Sequence, residues 1–501
     1  MKRAVAILII IMLSFSPAGS TEQKLLPSTG GEDILFGEHV AIDGEWAVVG
    51  AHRDSEAGSS VGAAYIYHLE GSTWVEYDKI FPSDPDSLWY FGSDVDISGD
   101  RIIAGTSSHD NDRGAAYVFE LQGGSWTEIG KLTPSNGYAN CHFGETVGID
   151  GNYAVVGAES DKIPPNIETG AIYIFRQEGS NWIEYPKIVP EDIAGYDDFG
   201  AAVAISGDYI IASAPANNPV YETSGAIYIY HREGTEWSQQ DKVWALDDDQ
   251  CNFFGYSVDI DGDNFVVGDL GWDNDPANNY DNRGAAYVFE RNGNSWFEAA
   301  RLLADDGVAS DNLGRSVGIS GDFVIAGSPS HGELGYNSGA AYLFSGSGGS
   351  WSQMEKITAG DGGEDQVFGY AVAVGTDHLI VGKPWDDDMG EDAGSAYVYS
   401  DLIPVEPEDI PGQISRFILH QNYPNPFNSQ TCISFYLPAA TSVLLEVFDL
   451  NGRRVSILAD GEYHAGGWSV NWDADHLASG IYLYHFATEN FSYTRKMVLL
   501  K

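Results

Sequence analysis

Apolar residues fall into four short groups between residues 91 and 134, and turn residues separate the groups. Val95 and Ile97 alternate with polar positions in the first group. The second and third groups occupy residues 101–104 and 116–119, and a fourth follows a glycine-rich turn. Alternation and short apolar runs bounded by Gly, Asp and Ser are typical of β-strands. The stretch therefore predicts four short strands.

The same pattern recurs along most of the chain. A Phe-Gly pair opens each copy, and one copy has Leu in place of Phe. The opening positions are Phe36, Phe91, Phe143, Phe199, Phe254, Leu313 and Phe368. Seven copies of a four-strand unit predict a β-propeller, because one unit cannot bury both of its faces until neighbours pack against it. We predict an all-β fold with a seven-bladed propeller over residues 21–400.

The seventh copy ends at Tyr399 without a fourth strand. Residues 21–28 (TEQKLLPS) have a similar order of polar, apolar and proline positions to residues 127–134 (TEIGKLTP). Residues 127–134 are the predicted fourth strand of the second copy. The N-terminal segment is therefore predicted to be the outer strand of the seventh blade. Lys24, Leu25 and Leu26 are its ring-closing residues.

Val48 to Ala51 and Gly62 to Tyr65 read VVGA and GAAY. Together with the Phe-Gly opening, these phrases resemble FG-GAP repeats of the bacterial type, over roughly residues 22 to 400. Such repeats build the headpiece propeller of integrin α chains. The resemblance implies a seven-bladed propeller and leaves the ligand open.

The chain begins with Lys2-Arg3 and continues with an apolar run from Ala4 to Phe15. Small residues up to Ser20 follow. This order is typical of a secretory signal peptide over residues 1–20, with cleavage after Ser20. The apolar run is shorter than the roughly 20 residues that span a bilayer. We therefore expect no transmembrane anchor in the mature chain.

Beyond the repeats, residues 401–415 are rich in Pro and acids and predict a linker. Residues 416–501 contain short strand patterns that predict a small Ig-like β-sandwich. Four phrases in this part resemble the C-terminal sorting domain of type IX secretion substrates; they occupy residues 422–428, 447–453, 478–482 and 496–501. The resemblance implies export through the outer membrane, a place at the cell surface or outside the cell, and the secretion machinery as a partner. An Ig-like spacer is the alternative.

The net charge of -49 excludes a phosphate-binding track, and hence a nucleic-acid partner. Long variable segments join the second strand to the third and each repeat to the next. In an up-and-down blade both kinds of loop emerge on one face, where we expect the function to lie. The segments are rich in acids, so this face is predicted to be strongly negative.

Paired acids recur in the segments after the second strand. The candidate metal ligands are Asp110, Asp112, Asp273, Asp275, Asp386 and Asp388. Carboxylates at alternate positions suit calcium, and calcium is the one cofactor that the sequence suggests. The alternative is that these residues cap turns and keep the protein soluble. Integrin-type repeats hold calcium between the first and second strands, where this chain has only a tight turn.

Trp272 and Trp385 stand beside these acids and are candidate ligand contacts. The sequence has no Ser or Cys in a pattern typical of a catalytic nucleophile, and no carboxylate pair can be singled out as general acid and base. We therefore predict a non-enzymatic binding or adhesion protein with an extracellular glycan or protein ligand on the acidic loop face. The alternative is an extracellular glycan-active enzyme on a propeller scaffold.

Overall fold

The computed structural model describes residues 14–15, 21–217, 224–245, 253–273, 281–347, 350–400 and 402–403 of the repeat region. In the C-terminal part it describes residues 418–419, 427, 429–437, 440–449, 453–464, 466–474, 477–488 and 492–499. The chain divides into two compact units, Met1–Pro404 and Val405–Lys501. The predicted signal peptide lies outside the described residues apart from Ser14–Phe15, which forms a short strand β1.

In the described residues of the first unit, seven antiparallel sheets of four or five strands form the repeats, and one two-stranded hairpin accompanies them. β2 (Thr21–Leu25) precedes the first sheet, which contains β3 (Val40–Asp43), β4 (Trp46–Ala51), β5 (Ala63–Glu70) and β6 (Thr73–Ile80). The second contains β7 (Val95–Ser98), β8 (Arg101–Thr106), β9 (Ala115–Gln122) and β10 (Ser125–Leu132). A single turn, α1 (His109–Asp112), lies between β8 and β9, and its residues 110–112 have positive φ instead of right-handed helical geometry. The third contains β11 (Val147–Asp150), β12 (Tyr153–Ala158), β15 (Ala171–Glu178) and β16 (Asn181–Glu184), with a small hairpin of β13 (Lys162–Ile163) and β14 (Ile167–Glu168) before β15.

The later sheets keep the same order. The fourth contains β17 (Val203–Ser206), β18 (Tyr209–Ala214), β19 (Ala226–Glu233) and β20 (Glu236–Val243), and the fifth contains β21 (Ser257–Asp261), β22 (Asn264–Asp269), β23 (Ala285–Asn292) and β24 (Ser295–Leu302). The sixth contains β25 (Val317–Ser320), β26 (Phe323–Ser328), β27 (Ala340–Ser347) and β28 (Ser350–Ile357). The seventh contains β29 (Val372–Val374), β30 (His378–Lys383) and β31 (Ser395–Ser400). Helix is almost absent from the described part of the chain, so the unit is all-β.

The seventh sheet takes its fourth strand, β2, from the N-terminal segment, and the two-residue β1 pairs on the outer side of β2. β2 pairs antiparallel with β31, and Lys24 lies opposite Tyr397. Leu25 is 2% exposed and lies in the core between the seventh and first sheets. The first strand of each sheet, here called the inner strand, contacts the inner strand of the next, and β29 contacts β3. The seven sheets therefore form a closed ring, which is the arrangement of a β-propeller.

The Phe-Gly and Gly-Ala-Ala-Tyr phrases meet where neighbouring sheets join. Gly62 forms a parallel bridge with Phe91 of the next sheet. Gly62 has a φ of +87°, and a Cβ at this position would lie 2.1 Å from the Phe91 carbonyl oxygen, so only glycine fits. The Phe91 ring then packs edge-to-face on Tyr117, with ring centroids 5.7 Å apart. Each repeat thus places its opening residue, Phe in six copies and Leu313 in the other, in the core between two sheets.

The first unit extends further than the sequence predicts. Residues 401–415 were expected to form a linker, because the repeat pattern stops at Tyr399. Ile403 is nevertheless 2% exposed, and it packs with half-buried Leu402 into the core cluster of the sixth and seventh sheets. The apolar pair therefore belongs to the propeller, and the predicted linker start at residue 401 is corrected.

The second unit contains two antiparallel sheets. β32 (Ile418–Leu419), β33 (Gln430–Leu437) and β36 (Gly466–Asp473) form one, and β34 (Thr441–Asp449), β35 (Arg454–Tyr463), β37 (Gly480–Ala487) and β38 (Ser492–Leu499) form the other. Phe435 of one sheet lies 5.0 Å from Phe486 of the other, between ring centroids. The two sheets therefore share one core. The Ig-like identity of this unit stays a prediction.

Candidate functional site

Two sets of loops emerge at one end of the propeller, which we call the loop face. One set joins the second strand of a sheet to the third, and the other joins each sheet to the next. Exposed large apolar side chains concentrate there: Leu88, Tyr138, Ile167, Tyr196, Trp244, Phe253, Tyr256, Val308, Leu334, Tyr336, Trp385 and Met389. In the described part of the propeller, four others lie on outer strands: Tyr77, Ile183, Phe297 and Met354.

A repeated group of three side chains lies beneath the loop face. In the third sheet the Tyr173 hydroxyl donates to Asp161 Oδ2 at 2.6 Å, and Lys187 Nζ lies 2.9 Å from the same oxygen. The tyrosine belongs to the third strand. Lys187 follows the short fourth strand of its sheet, and in the other six sheets the equivalent cation lies on the fourth strand itself. The equivalent tyrosines are Tyr65, Tyr117, Tyr173, Tyr228, Tyr287, Tyr342 and Tyr397, all buried. The equivalent cations are Lys79, Lys131, Lys187, Lys242, Arg301, Lys356 and Lys24.

The acid of this group comes from either of two loops. Asp54 and Asp161 follow the second strand of their own sheet, and each contacts its lysine at 2.9 Å. Asp84, Asp192 and Asp306 instead lie in the loop that precedes their sheet, and each contacts its lysine at 2.6 to 2.7 Å. Each of these five loop acids therefore offsets the charge of a partly buried lysine. Part of the negative loop face is consequently structural.

Two of the predicted metal ligands, Asp386 and Asp388, surround an ammonium group. Lys24 Nζ lies 2.8 Å from Asp386, 2.7 Å from Asp388 and 2.6 Å from Asp361. Lys383 Nζ lies 2.8 Å from Asp386, and both of these side chains are 1% exposed. The three carboxylates could hold a metal ion by their spacing. In this structure the Lys24 ammonium occupies the position that such a cation would take.

The electrostatics of this cluster favour the charged pairs. Burial acts to raise the pKa of Asp361, but hydrogen bonds from Lys24 and Tyr397 lower it to about 2. Burial likewise opposes the charge of Lys24, and its three carboxylate partners raise the pKa of its ammonium group well above the ordinary value. Lys24 lies on β2, so the ring-closing strand is joined to the seventh sheet by ion pairs as well as by backbone hydrogen bonds.

The other predicted metal ligands lie apart from this cluster. Asp110 is exposed, and its nearest cation is Arg113 at 3.9 Å. Asp112 follows it in a segment with positive φ. Asp273 is 5% exposed, and its Oδ1 accepts the backbone N–H of Asn282 at 2.6 Å. Asp275 lies outside the described residues. The three predicted pairs belong to three different sheets, and calcium binding stays a prediction.

The two candidate tryptophans differ in placement. Trp272 is 7% exposed and packs in the core of the fifth sheet, with the Arg301 guanidinium 4.8 Å from its ring. Such a buried ring offers no face to a surface ligand, because Arg301 and the core cover it. Trp385 is 38% exposed on the loop face, 6.5 Å from the Tyr370 ring. The structure thus leaves Trp385 as the tryptophan candidate for ligand contact.

A cavity of about 890 Å³ runs along the axis of the ring, between the inner strands. Carboxylates on these strands fasten neighbouring sheets together. Asp96 accepts the backbone N–H groups of Ile97 and Ile149, each at 2.8 Å. Burial raises the pKa of Asp96 to about 8, although both hydrogen bonds act in the opposite direction. Asp259 makes the equivalent contacts to Ile260 and Ile319. These residues are structural.

The loop-face end of this cavity, which we call the channel mouth, is where the inner strands begin. Glu145, Glu159 and Asp198 line one side of it. Burial raises the pKa of Glu159 to about 7, and the charges of Glu145 and Asp198 add to the effect. Tyr256 and Arg315 also line the cavity. Sequence reasoning missed this site, although the residue after each Phe-Gly pair could have indicated it.

Comparisons with known proteins agree with the repeat pattern. The family model of the FG-GAP repeat matches seven times, at residues 20–67, 74–119, 126–175, 182–230, 237–289, 296–344 and 351–399. The model of the secretion system C-terminal sorting domain matches residues 421–500. Both predicted resemblances are therefore confirmed. A type IX sorting domain implies interaction with the type IX secretion machinery, and it confirms that the protein is secreted or lies at the cell surface.

Solved structures with a similar fold are distant. PorZ, a surface component of the type IX secretion system of Porphyromonas gingivalis, is 12% identical with a TM-score of 0.34, and the match covers 96% of this chain and 69% of PorZ. The propeller domain of the Trilobed protease from Pyrococcus furiosus is 13% identical with a TM-score of 0.37, over 68% of this chain and 87% of that domain. Acylaminoacyl peptidase from Pyrococcus horikoshii is 12% identical with a TM-score of 0.37, over 83% of this chain and 61% of that enzyme. Likeness at this level says nothing about function.

No curated protein matches the chain. The described residues contain no helix with the length and apolar character needed to cross a membrane. The seven repeat matches together cover about two thirds of the sequence. The chain therefore belongs to the FG-GAP repeat family and ends in a type IX secretion sorting domain.

Proposed function

We propose that this protein is a cell-surface binding or adhesion protein whose ligand docks on the loop face of the propeller. The observation that carries the proposal is the distribution of exposed apolar side chains. Twelve of the sixteen in the described propeller lie on the loop face, and Tyr196 and Tyr336 are each 72% exposed. Large exposed aromatic side chains among polar ones are typical of interaction sites.

The scaffold under this face supports such a role. The ring is closed, and buried tyrosines and lysines hold the bases of the loops through ion pairs and hydrogen bonds. Loops anchored in this way can vary in sequence while their ends stay fixed. Residues 1–20 act as the export signal in this proposal, and the C-terminal domain directs the propeller through the outer membrane.

A glycan-active enzyme is the second candidate, and one observation favours it. Glu159 lines the channel mouth with a pKa raised to about 7 by burial, beside Glu145 and Asp198. A carboxyl group that holds its proton near neutral pH suits a general acid in glycoside hydrolysis. New reducing ends released from an oligosaccharide by the wild type, and not by Glu159→Gln, would favour this candidate.

The binding proposal is tested with the full chain on arrays of extracellular glycans and proteins. Wild type is expected to bind at least one probe. The variant Tyr196→Ser/Tyr336→Ser is expected to bind it about tenfold more weakly, because each change removes an exposed aromatic contact. Phe297→Ser is the matched control, since Phe297 is 45% exposed on the outer strand β24, away from the loop face. Unchanged melting temperatures would show that all variants stay folded.

Two results would contradict the proposal. One is the absence of binding to every probe. The other is a loss of binding in Phe297→Ser that equals the loss in the loop-face variant, because the ligand would then contact the outer strands.

A further inference from the structure

The residue after each Phe-Gly pair breaks the symmetry of the ring. In chain order these residues are Glu38, Ser93, Glu145, Ala201, Tyr256, Arg315 and Tyr370. All seven occupy the same place in their repeats, where the inner strand begins at the channel mouth. The first four are acidic or small, and the last three are aromatic or basic. Sheets that otherwise keep one pattern therefore differ where they face the cavity.

The three residues of the fifth to seventh sheets form a continuous row. The Arg315 guanidinium lies between two rings, 4.8 Å from the centroid of Tyr256 and 4.2 Å from that of Tyr370. Trp385 continues the row beyond Tyr370 at 6.5 Å between ring centroids. Tyr256 is 37% exposed and Trp385 is 38% exposed, so the row has open faces at both ends.

Arg315 belongs to none of the tyrosine, acid and lysine groups that lie beneath the loop face. In the described part of the chain, no carboxylate oxygen lies within 4.0 Å of its guanidinium. This is unusual in a sequence with 74 acids and only 25 Lys and Arg. The two tyrosine rings hold its plane through cation–π contacts. The guanidinium also makes a hydrogen bond with the Tyr370 hydroxyl, and its other N–H groups are the donors that a ligand at the mouth would meet.

Carboxylates complete the other side of the mouth. Glu38 accepts a hydrogen bond from the Tyr370 hydroxyl at 3.3 Å. Glu145, Glu159 and Asp198 line the far side of the same cavity. The mouth thus combines ring faces, guanidinium donors and carboxylate acceptors in one space. Binding pockets for small organic ligands typically pair aromatic walls with a few placed polar groups of this kind.

We propose that the Tyr256–Arg315–Tyr370–Trp385 row is a subsite for an uncharged oligosaccharide. The apolar faces of sugar rings stack on aromatic rings, hydroxyl groups donate to carboxylates, and sugar oxygens accept from the guanidinium. A polyanion fits less well, because it would meet a protein with a net charge of -49. A cationic ligand would face Arg315. This inference rests on the proposed binding function and names its ligand class.

The test is affinity electrophoresis of the full chain in gels that contain one neutral polysaccharide each: cellulose derivatives, xylan, mannan, starch and β-1,3-glucan. At least one is expected to retard the wild type. Tyr370→Ala and Trp385→Ala are each expected to weaken the retardation about tenfold, which is the size expected for one lost aromatic contact. Arg315→Gln should weaken it as well and should not lower the melting temperature. Phe297→Ala is the control and should behave as wild type.

The outcomes separate this inference from the proposed function. Binding to a protein probe on the loop face, without retardation by any neutral polysaccharide, would overturn the oligosaccharide subsite and leave the binding function in place. Retardation that Tyr370→Ala, Trp385→Ala and Arg315→Gln all leave unchanged would also overturn the subsite. Retardation lost in these variants, with unchanged melting temperatures, supports it.

Discussion

A chain that starts at residue 28 is expected to be several kcal/mol less stable than one that starts at residue 21, and to aggregate. Residues 21–25 supply the fourth strand of the seventh sheet, and Leu25 is 2% exposed. Burial of one such side chain contributes about 1.5–3 kcal/mol. Deletion also removes Lys24 from its three carboxylates and leaves β31 as an open edge.

Denaturant unfolding of the propeller, followed by tryptophan fluorescence, measures this effect. Single substitutions provide the matched comparison. Leu25→Ala is expected to cost about 2–5 kcal/mol, as for other buried leucines. Leu26→Ala should cost less, because Leu26 is only half-buried and contributes its carbonyl oxygen to Tyr67. If the shortened chain unfolds at the same denaturant concentration as the longer one, the N-terminal strand does not close the ring.

Asp386→Ala is expected to destabilise the propeller by about 3–5 kcal/mol, because it removes a partner of a buried charge. Lys383 and Asp386 are both 1% exposed and lie 2.8 Å apart. Without Asp386, the one carboxylate left beside the Lys383 ammonium in the described part of the chain is Asp361, at 3.2 Å. The double variant Lys383→Met/Asp386→Leu should recover much of the loss, because it removes both charges together.

Asp388→Ala is the control for this experiment. Asp388 also contacts Lys24, but its side chain is 59% exposed. Its removal is expected to cost less than about 1 kcal/mol, since exposed ion pairs contribute little. The Asp386→Ala and Asp388→Ala variants also test whether the cation in the carboxylate cluster is Lys24 or calcium. A calcium-specific rise in melting temperature that both Asp386→Ala and Asp388→Ala abolish would show that a metal ion, and not Lys24, occupies the cluster.

The strand order and the closure of the ring could be predicted from the sequence, because both follow from the constant spacing of apolar and glycine positions in the repeat. The repeat keeps its spacing of apolar and glycine positions, as Gly62 and Phe91 show at the junction of two sheets. The missing fourth strand of the seventh copy has one match elsewhere, at residues 21–28. Local patterns that recur seven times leave few alternative pairings.

The groups beneath the loop face could not be predicted in the same way. The acid that contacts the lysine comes from one loop in Asp161 and from another in Asp84, so it keeps no fixed position in the repeat. The burial of Trp272 depends on Arg301, which lies on a different strand. The burial of Ile403 depends on the sixth and seventh sheets together. These contacts are set by packing between distant segments, which spacing along the chain does not show.

The role of the loop face, including the channel mouth, as the ligand site is the central claim, and hydrogen–deuterium exchange tests it most directly. The full chain would be compared with and without the probe that binds best on the arrays. Slower exchange is predicted at residues 253–257, 313–317 and 368–372 and in the loops that contain Tyr196, Tyr336 and Trp385. No change is predicted in the hairpin turns at the opposite end. Protection confined to those turns or to the outer strands would contradict the account.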